Sequence, residues 1–197
     1  MKKFFPSLQY INLPNIITTL GLVFGIIACW RLIMADLRTA LICLFFSAFM
    51  DLVDGFFAEK FKCKTQFGQY MDSLVDFFIC CVMPSLMALI FIGNSFVFIG
   101  AITLYCICGL WRLAYFNVTA VEKRDHFTGL PVPGAMLFAV MSVWFTVHCN
   151  IPAWVSPAVF TAAGLFMISF IKLKKYGMCQ KALWVMWIGF LALIVLS

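Results

Sequence analysis

Four aspartates in the first half of the sequence form the group of side chains best suited to chemistry. Asp51 and Asp54 lie three residues apart. Asp72 and Asp76 lie four residues apart, and in each pair the two side chains share one face of a helix. Four facing carboxylates repel one another unless they are protonated or bridged by cations. Hard divalent cations such as Mg²⁺ or Mn²⁺ prefer oxygen ligands, so the spacing predicts a metal site with room for two ions.

Small residues flank both acidic pairs. Gly55 follows the first pair directly, Ala58 lies one turn further on, and Gly68 precedes the second pair. Such residues keep the wall of the site low and let a bulky ligand approach the metals. The alternative is that the aspartates pair with nearby lysines at a solvated loop edge. The lysines, however, occupy the loop itself, whereas the aspartates keep helical spacing within apolar sequence.

The amino-acid composition indicates whether these aspartates belong to a soluble protein or to a membrane protein. Hydrophobic residues make up 64% of the 197 positions and charged residues 11%, whereas a soluble domain has about 45–50% and about 25%. One globule of this length cannot bury such an excess. A soluble enzyme, a disordered chain and a secreted disulfide scaffold are excluded. The sequence predicts an all-α, polytopic integral membrane helical bundle that forms one domain over residues 1–197.

Seven stretches are long and apolar enough to be membrane spans, because a span needs about 20 mostly apolar residues. A count of six to eight is compatible with their approximate ends. The third contains Pro84 and is expected to kink there, and the fifth is short. The predicted spans are Asn15–Ile33, Arg38–Phe57, Phe67–Ile92, Phe96–Asn117, Gly134–Val147, Pro152–Ile171 and Ala182–Leu196.

The basic residues set the orientation, because Lys and Arg accumulate on the cytoplasmic side. A cytoplasmic N-terminus and seven spans leave only Arg31 and Arg38 of the fourteen basic residues outside. The acidic site then faces the cytoplasm, and the net charge of +6 needs no nucleic acid as a partner. The basic residues predicted to be inside are Lys2, Lys3, Lys60, Lys62, Lys64, Arg112, Lys123, Arg124, Lys172, Lys174, Lys175 and Lys181.

The acidic segment also resembles a known signature. The pattern Asp-x₂-Asp-Gly-x₂-Ala-x₉-Gly-x₃-Asp-x₃-Asp, from Asp51 to Asp76, resembles that of the CDP-alcohol phosphatidyltransferases, integral membrane enzymes of phospholipid synthesis. The family normally has Arg directly after the alanine, where this chain has Glu59. Lys60, Lys62 or Lys64 are the candidates to replace the phosphate contact of that Arg.

The resemblance implies roles for individual residues. Asp51, Asp54, Asp72 and Asp76 hold two divalent ions, and Asp76 is also the general base. The start of the first span, Pro14–Thr18, contributes to the nucleotide pocket. The residues implied to bind the CDP-lipid are Asn15, Thr18, Gly55, Ala58, Thr65 and Gly68.

Later segments look like the bacterial and archaeal phosphatidylserine synthase branch of the family. They are Met83–Leu86, Trp111–Asn117 and Phe127–Pro133. This branch transfers the phosphatidyl group of CDP-diacylglycerol to the hydroxyl of L-serine and releases CMP. Arg112 is then a clamp for phosphate or carboxylate, or else a structural partner for an aspartate. Asn117 contacts the acceptor or caps its helix.

Other functions stay open at this point. Glycerol phosphate, inositol, inositol phosphate or choline could replace serine as the acceptor, because the acidic motif serves the CDP-lipid. An ether-lipid donor fits equally well. A divalent-cation channel or carrier would need acidic residues along a pathway, and none lies near the outer half of a span. Glu59 alone suggests an inactive relative. Family members are often dimeric, so the resemblance allows a homodimer in the lipid bilayer. The Phe127–Pro133 stretch either covers the site or forms an ordinary interfacial turn.

Overall fold

The structure, a computed structural model, describes residues 9–61, 65–93, 95–119, 126–174 and 178–196. Helices contain most of them. In chain order the elements are α1 (Leu13–Ile33), α2 (Leu37–Lys60), α3 (Gln66–Asp76), a π-helical segment (Phe77–Val82), α4 (Met83–Phe91), α5 (Phe96–Thr119), β1 (His126–Thr128), α6 (Val132–His148), α7 (Val155–Met167), β2 (Lys172–Lys174) and α8 (Met178–Leu196). The members of the predicted cytoplasmic basic set that lie outside the described residues are Lys2, Lys3, Lys62, Lys64, Lys123, Arg124 and Lys175.

The predicted all-helical membrane class is confirmed, with a small addition. Because α3, the π-helical segment and α4 are continuous, the described chain contains seven helical stretches. Four of them are long and apolar enough to cross a bilayer: Leu13–Ile33, Leu37–Ala58, Gln66–Phe91 and Phe96–Thr119. The apolar parts of the last three are shorter, 10 to 17 residues each. Seven crossings and a cytoplasmic N-terminus therefore stay predictions. The addition is the antiparallel pair β1–β2.

Helix α7 is shorter than the predicted span Pro152–Ile171, and the residues that follow β1 contact its end. The backbone N–H of Leu130 donates to the Phe166 carbonyl at 3.0 Å, and that of Gly129 donates to the Ile171 carbonyl at 2.8 Å. The Phe166 carbonyl, in the last turn of α7, thus accepts from another segment of the chain, and the helix ends at Met167. Gly129 has φ +78°, and a Cβ there would lie 2.2 Å from the Met167 carbonyl oxygen. Only glycine fits this approach.

The antiparallel pair β1–β2, called the β1–β2 ribbon below, brings two connections of the bundle together. Thr128 pairs with Lys172, and His126 pairs with Lys174. The α5–α6 connection and the α7–α8 connection therefore lie at one end of the bundle. Both connections contain Lys or Arg residues, so their proximity is consistent with the predicted alternation of the spans.

Helices α1 and α2 form a hairpin in which a side chain caps the start of each helix. The Asn12 side chain accepts a hydrogen bond from the Asn15 N–H at 2.9 Å at the start of α1. At the turn, the Asp36 carboxylate accepts from the Thr39 N–H at 3.0 Å and lies 3.3 Å from the Arg31 guanidinium. Chiefly because of the Thr39 N–H, the pKa of Asp36 lies below its ordinary value. Between the helices, the Ser47 hydroxyl donates to the Gly21 carbonyl at 2.7 Å.

The irregularity in the third helical stretch precedes Pro84. Proline has no N–H to donate to the carbonyl four residues before it, which here belongs to Cys80. The hydroxyl of Tyr105, from α5, donates to that carbonyl at 2.7 Å. The Tyr105 side chain is fully buried, so a hydrogen bond between helices replaces one within a helix.

We expect Tyr105→Phe to lower the free energy of unfolding by about 1–3 kcal/mol, because a buried acceptor loses its donor. The measurement is thermal unfolding of the purified protein in detergent. Tyr70→Phe is the control, since Tyr70 is 51% exposed and should change stability by less than about 0.5 kcal/mol. Equal midpoints for the two variants would contradict the structural role of Tyr105.

Candidate active site

Three carboxylates from two helices converge at the predicted metal site. One oxygen from each of Asp51, Asp72 and Asp76 lies within 4.8 Å of the other two, and all three residues are half-buried. Asp51 is in α2, whereas Asp72 and Asp76 occupy successive turns of α3. No residue of α3 is fully buried, so this helix lines an open region of the bundle. The predicted approach of the two acidic pairs is therefore present for three of the four aspartates.

Asp54, the fourth aspartate, faces a different neighbour. It is buried, at 5% exposure, and its Oδ2 accepts a hydrogen bond from the hydroxyl of Thr18 in α1. A three-residue separation turns the side chain by about 60° around the helix relative to Asp51. This rotation directs Asp54 towards α1 while Asp51 faces α3.

The donor set fits a hard divalent cation. The four aspartates form no salt bridge with any described Lys or Arg; the described ion pair joins Arg31 and Asp36. Three oxygens at this separation repel one another strongly without a positive charge between them. Carboxylate oxygens are the ligands that Mg²⁺ and Mn²⁺ prefer. The acidic cluster, which consists of Asp51, Asp72 and Asp76, can therefore bind a divalent metal ion.

The start of α3 packs tightly against the start of α1. Thr65 caps α3, and its hydroxyl accepts from the Gly68 N–H at 3.0 Å. A Cβ at Gly68 would lie 2.7 Å from Oδ1 of Asn15, so glycine permits the approach of the two helices. The Asn15 side chain in turn donates to the Tyr10 carbonyl at 2.8 Å. Three residues implied to bind the CDP-lipid thus also hold the site together.

Gly55 differs from Gly68, because its surroundings are open. No atom lies within 4 Å of a Cβ built at Gly55, and the residue is exposed. Ala58, one turn later, is half-buried. The wall of the site next to Asp54 is therefore low, as the sequence predicted, and protein packing does not require glycine at position 55.

Helix α5 brings further polar groups to this side of the bundle. Arg112 is 7% exposed, and its buried Nε has no hydrogen-bond partner among the described residues. It forms no salt bridge with any aspartate of the acidic cluster, which disfavours the structural-partner alternative. Asn117 accepts a hydrogen bond through Oδ1 from the Ser73 hydroxyl at 3.0 Å. Ser73 lies between Asp72 and Asp76 in the sequence, so this bond ties α5 to the acidic helix.

Sequence reasoning missed two polar residues of α3. Ser73 is one, although a hydroxyl flanked by two aspartates is a visible signal. Gln69 is the other; its buried Nε2 has no hydrogen-bond partner among the described residues. The Phe127–Pro133 stretch is not brought to the aspartates by any described hydrogen bond. Its bonds go instead to the segment that follows α7.

Comparisons with known proteins identify the family of this chain. Residues 11–195 match the family model described as CDP-alcohol phosphatidyltransferase. Three similar proteins are each named CDP-diacylglycerol–serine O-phosphatidyltransferase. The one from Bacillus subtilis is 32% identical over 132 residues, 66% of this chain and 73% of the relative. The one from Methanocaldococcus jannaschii is 29% identical over 168 residues, 85% and 76% of the two chains. The one from Helicobacter pylori is 28% identical over 203 residues, 93% and 79%.

The family match extends over nearly the whole chain, and it includes the acidic segment whose side chains converge in the structure. The resemblance seen in the sequence is therefore confirmed, and the chain belongs to the CDP-alcohol phosphatidyltransferase family.

Proposed function

We propose that this protein transfers the phosphatidyl group of CDP-diacylglycerol to the hydroxyl of L-serine and releases CMP, with Mg²⁺ or Mn²⁺ as its cofactor. The observation that carries the proposal is the convergence of Asp51, Asp72 and Asp76 in a chain of this family. The choice of serine is supported by the printed names of the three relatives. It is also supported by the segments that look like the phosphatidylserine synthase branch.

The acidic cluster is the proposed binding site for the diphosphate of the CDP-lipid, through divalent ions. Asp51, Asp72 and Asp76 would hold a divalent ion, and Asp54 adds a fourth carboxylate for a second ion. When bound, such ions neutralise the negative charge of the diphosphate and of the departing CMP. Phosphoryl transfer asks a protein chiefly to position its reactants and to neutralise charge, and this cluster suits both tasks.

Asp76 is the proposed general base. Its carboxylate takes the proton of the serine hydroxyl as that oxygen attacks the phosphorus that bears the diacylglycerol. The bond from this phosphorus to the CMP oxygen breaks, and CMP leaves with the electron pair. The attack is in line, so no covalent enzyme intermediate is needed.

The CDP-lipid is proposed to lie against the low wall of α2 and the start of α3. The open space at Gly55 admits the diphosphate, and the region of Asn15, Thr65 and Gly68 borders the nucleotide. The acyl chains stay in the bilayer and enter between helices. CMP and serine exchange with the cytoplasm, towards which we propose that the site faces.

Arg112 and Asn117 are the proposed contacts for the acceptor or for phosphate. A buried guanidinium whose Nε lacks a partner is costly in an apolar bundle and is stabilised by an anion. Serine supplies a carboxylate, and the CDP-lipid supplies phosphate; Arg binds both through paired donors. Because Oδ1 of Asn117 is engaged by Ser73, its amide NH₂ is the group left to donate to a ligand.

The acceptor assay tests the reaction itself. Purified protein is incubated with CDP-diacylglycerol, Mn²⁺ or Mg²⁺ and one alcohol at a time: serine, glycerol phosphate, inositol, inositol phosphate or choline. We expect CMP release with serine and its loss when EDTA removes the metal. Release with another alcohol but not with serine would overturn the choice of acceptor and leave the family chemistry in place. Release that persists in EDTA would overturn the metal dependence.

We expect Asp76→Asn to lower kcat by about 10²–10⁴-fold, because the amide cannot accept the serine proton. CMP release measures kcat, and a CDP-diacylglycerol binding titration shows that most lipid binding remains. Asp36→Asn is the matched control, since Asp36 lies in the α1–α2 turn and pairs with Arg31. Normal turnover of Asp76→Asn with metal supplied would refute the assigned base.

We expect Gly55→Ala to weaken CDP-diacylglycerol binding by about 1–3 kcal/mol, because a methyl group enters space that the ligand needs. The free protein should keep its stability or gain up to about 1 kcal/mol, since Ala favours a helix more than Gly does. Gly100→Ala is the control: it lies in α5, and nothing lies within 4 Å of its added Cβ either. A KM for the CDP-lipid that is equal in the two variants would argue against a ligand at Gly55.

A further inference from the structure

We propose that Thr18 is a positioning residue for the metal site and that its hydroxyl orients the carboxylate of Asp54. The resemblance implies that Thr18 contacts the nucleotide. In the structure, its hydroxyl instead contacts Asp54, which is one of the proposed metal ligands. The inference rests on the proposed metal cofactor and is independent of the acceptor alcohol.

The contact joins two buried side chains on different helices. Thr18 in α1 and Asp54 in α2 are each 5% exposed, and the hydroxyl donates to Oδ2 of the carboxylate. The same hydroxyl lies 3.1 Å from the Pro14 carbonyl of its own helix. It has a single proton, and an ionised carboxylate is a stronger acceptor than a peptide carbonyl. The proton therefore belongs to the bond with Asp54.

Asp54 depends on such a donor. It is not one of the three carboxylates that converge within 4.8 Å, and it forms no salt bridge with a described basic residue. A buried carboxylate without a donor is strongly destabilised. The bond from Thr18 engages Oδ2 and thereby fixes the rotation of the carboxylate, and with it the direction in which Oδ1 faces. Partners of this kind orient metal ligands, and their loss typically weakens metal binding by about 10- to 100-fold.

The hairpin of α1 and α2 makes the position of this hydroxyl stable. Ser47 of α2 donates to the Gly21 carbonyl of α1 at 2.7 Å within the same interface. A Cβ at Gly21 would already lie 3.4 Å from Cβ of Met50, so the two backbones are close. Thr18 is thus held by the packing of the helices as well as by its bond to Asp54.

The test measures Mn²⁺ binding by electron paramagnetic resonance, in detergent and without CDP-lipid or alcohol. We expect Thr18→Val, which keeps the shape and removes the hydroxyl, to weaken Mn²⁺ binding by about 10- to 100-fold. Thr18→Ser keeps the hydroxyl and should bind within about threefold of the unsubstituted protein, well short of that loss. Thr18→Ala lacks the hydroxyl and should resemble Thr18→Val, so the test does not depend on one variant folding.

Thr19→Val is the matched control. Thr19 is the next residue, it is exposed, and its hydroxyl donates to the Asn15 carbonyl of its own helix at 2.7 Å. Its substitution should leave Mn²⁺ binding unchanged. Equal binding by Thr18→Val and Thr19→Val would overturn the inference, as would a loss in Thr18→Ser as large as that in Thr18→Val.

A double-mutant cycle shows whether Thr18 acts through Asp54. If it does, Asp54→Asn and the double variant with Thr18→Val bind Mn²⁺ equally. Additive losses would instead overturn a role through Asp54. The unsubstituted protein separates the two proposals: if it binds Mn²⁺ and Thr18→Val binds as well, only this inference fails. If it binds no Mn²⁺, the proposed metal cofactor fails first.

Discussion

Carboxylates in an apolar helical bundle are the constraint on which the rest of this structure depends. Each of them loses hydration, and three of them lie close enough to repel one another. The protein reduces this cost in two ways. A buried hydroxyl donates to Asp54. The other three carboxylates, Asp51 in α2 with Asp72 and Asp76 in the open helix α3, are only half-buried, within reach of water, a cation and a charged substrate. The same burial that makes the carboxylates costly strengthens their attraction for a divalent ion.

Helices α1, α2, α3 and α5 form the polar surroundings of the acidic cluster, whereas helix α6 contributes to the apolar core. Around the acidic cluster, Thr18 bonds to Asp54 between α1 and α2, and Ser73 bonds to Asn117 between α3 and α5. Helix α6 lies mainly in the core, where Ala135, Met136 and Leu137 are fully buried. Other helices thus supply the core, and the open side of α3 contributes no fully buried residue to it.

Sequence patterns predicted much of this arrangement, because their physical basis is local. Apolar runs longer than 20 residues predict helices in lipid, and spacings of three and four predict shared faces. The convergence of Asp51 with Asp72 followed from a short connection between antiparallel helices. A glycine that faces empty space, such as Gly55, could also be anticipated from its place beside two acidic residues.

What was not predicted depends on how helices rotate against one another. The separation of Asp54 from the other carboxylates arises because α1 lies beside α2, and the spacing of Asp51 and Asp54 does not contain that information. The bond between Ser73 and Asn117 crosses 44 positions, and no local pattern reports it. The β1–β2 ribbon is three residues long on each side, too short for an alternating pattern to stand out.

The π-helical segment after Asp76 bears on how this sequence should be aligned with others. Each of its hydrogen bonds encloses one more residue than a bond of a regular α-helix does. One additional residue turns the rest of the helix by about 100°. The segment thus lets α3 present its acidic face to the site while α4 presents a different face to the core. A homologue with a regular helix at Phe77–Val82 would reach the same two faces with one residue fewer, and its alignment gap would fall inside a membrane helix and not in a loop.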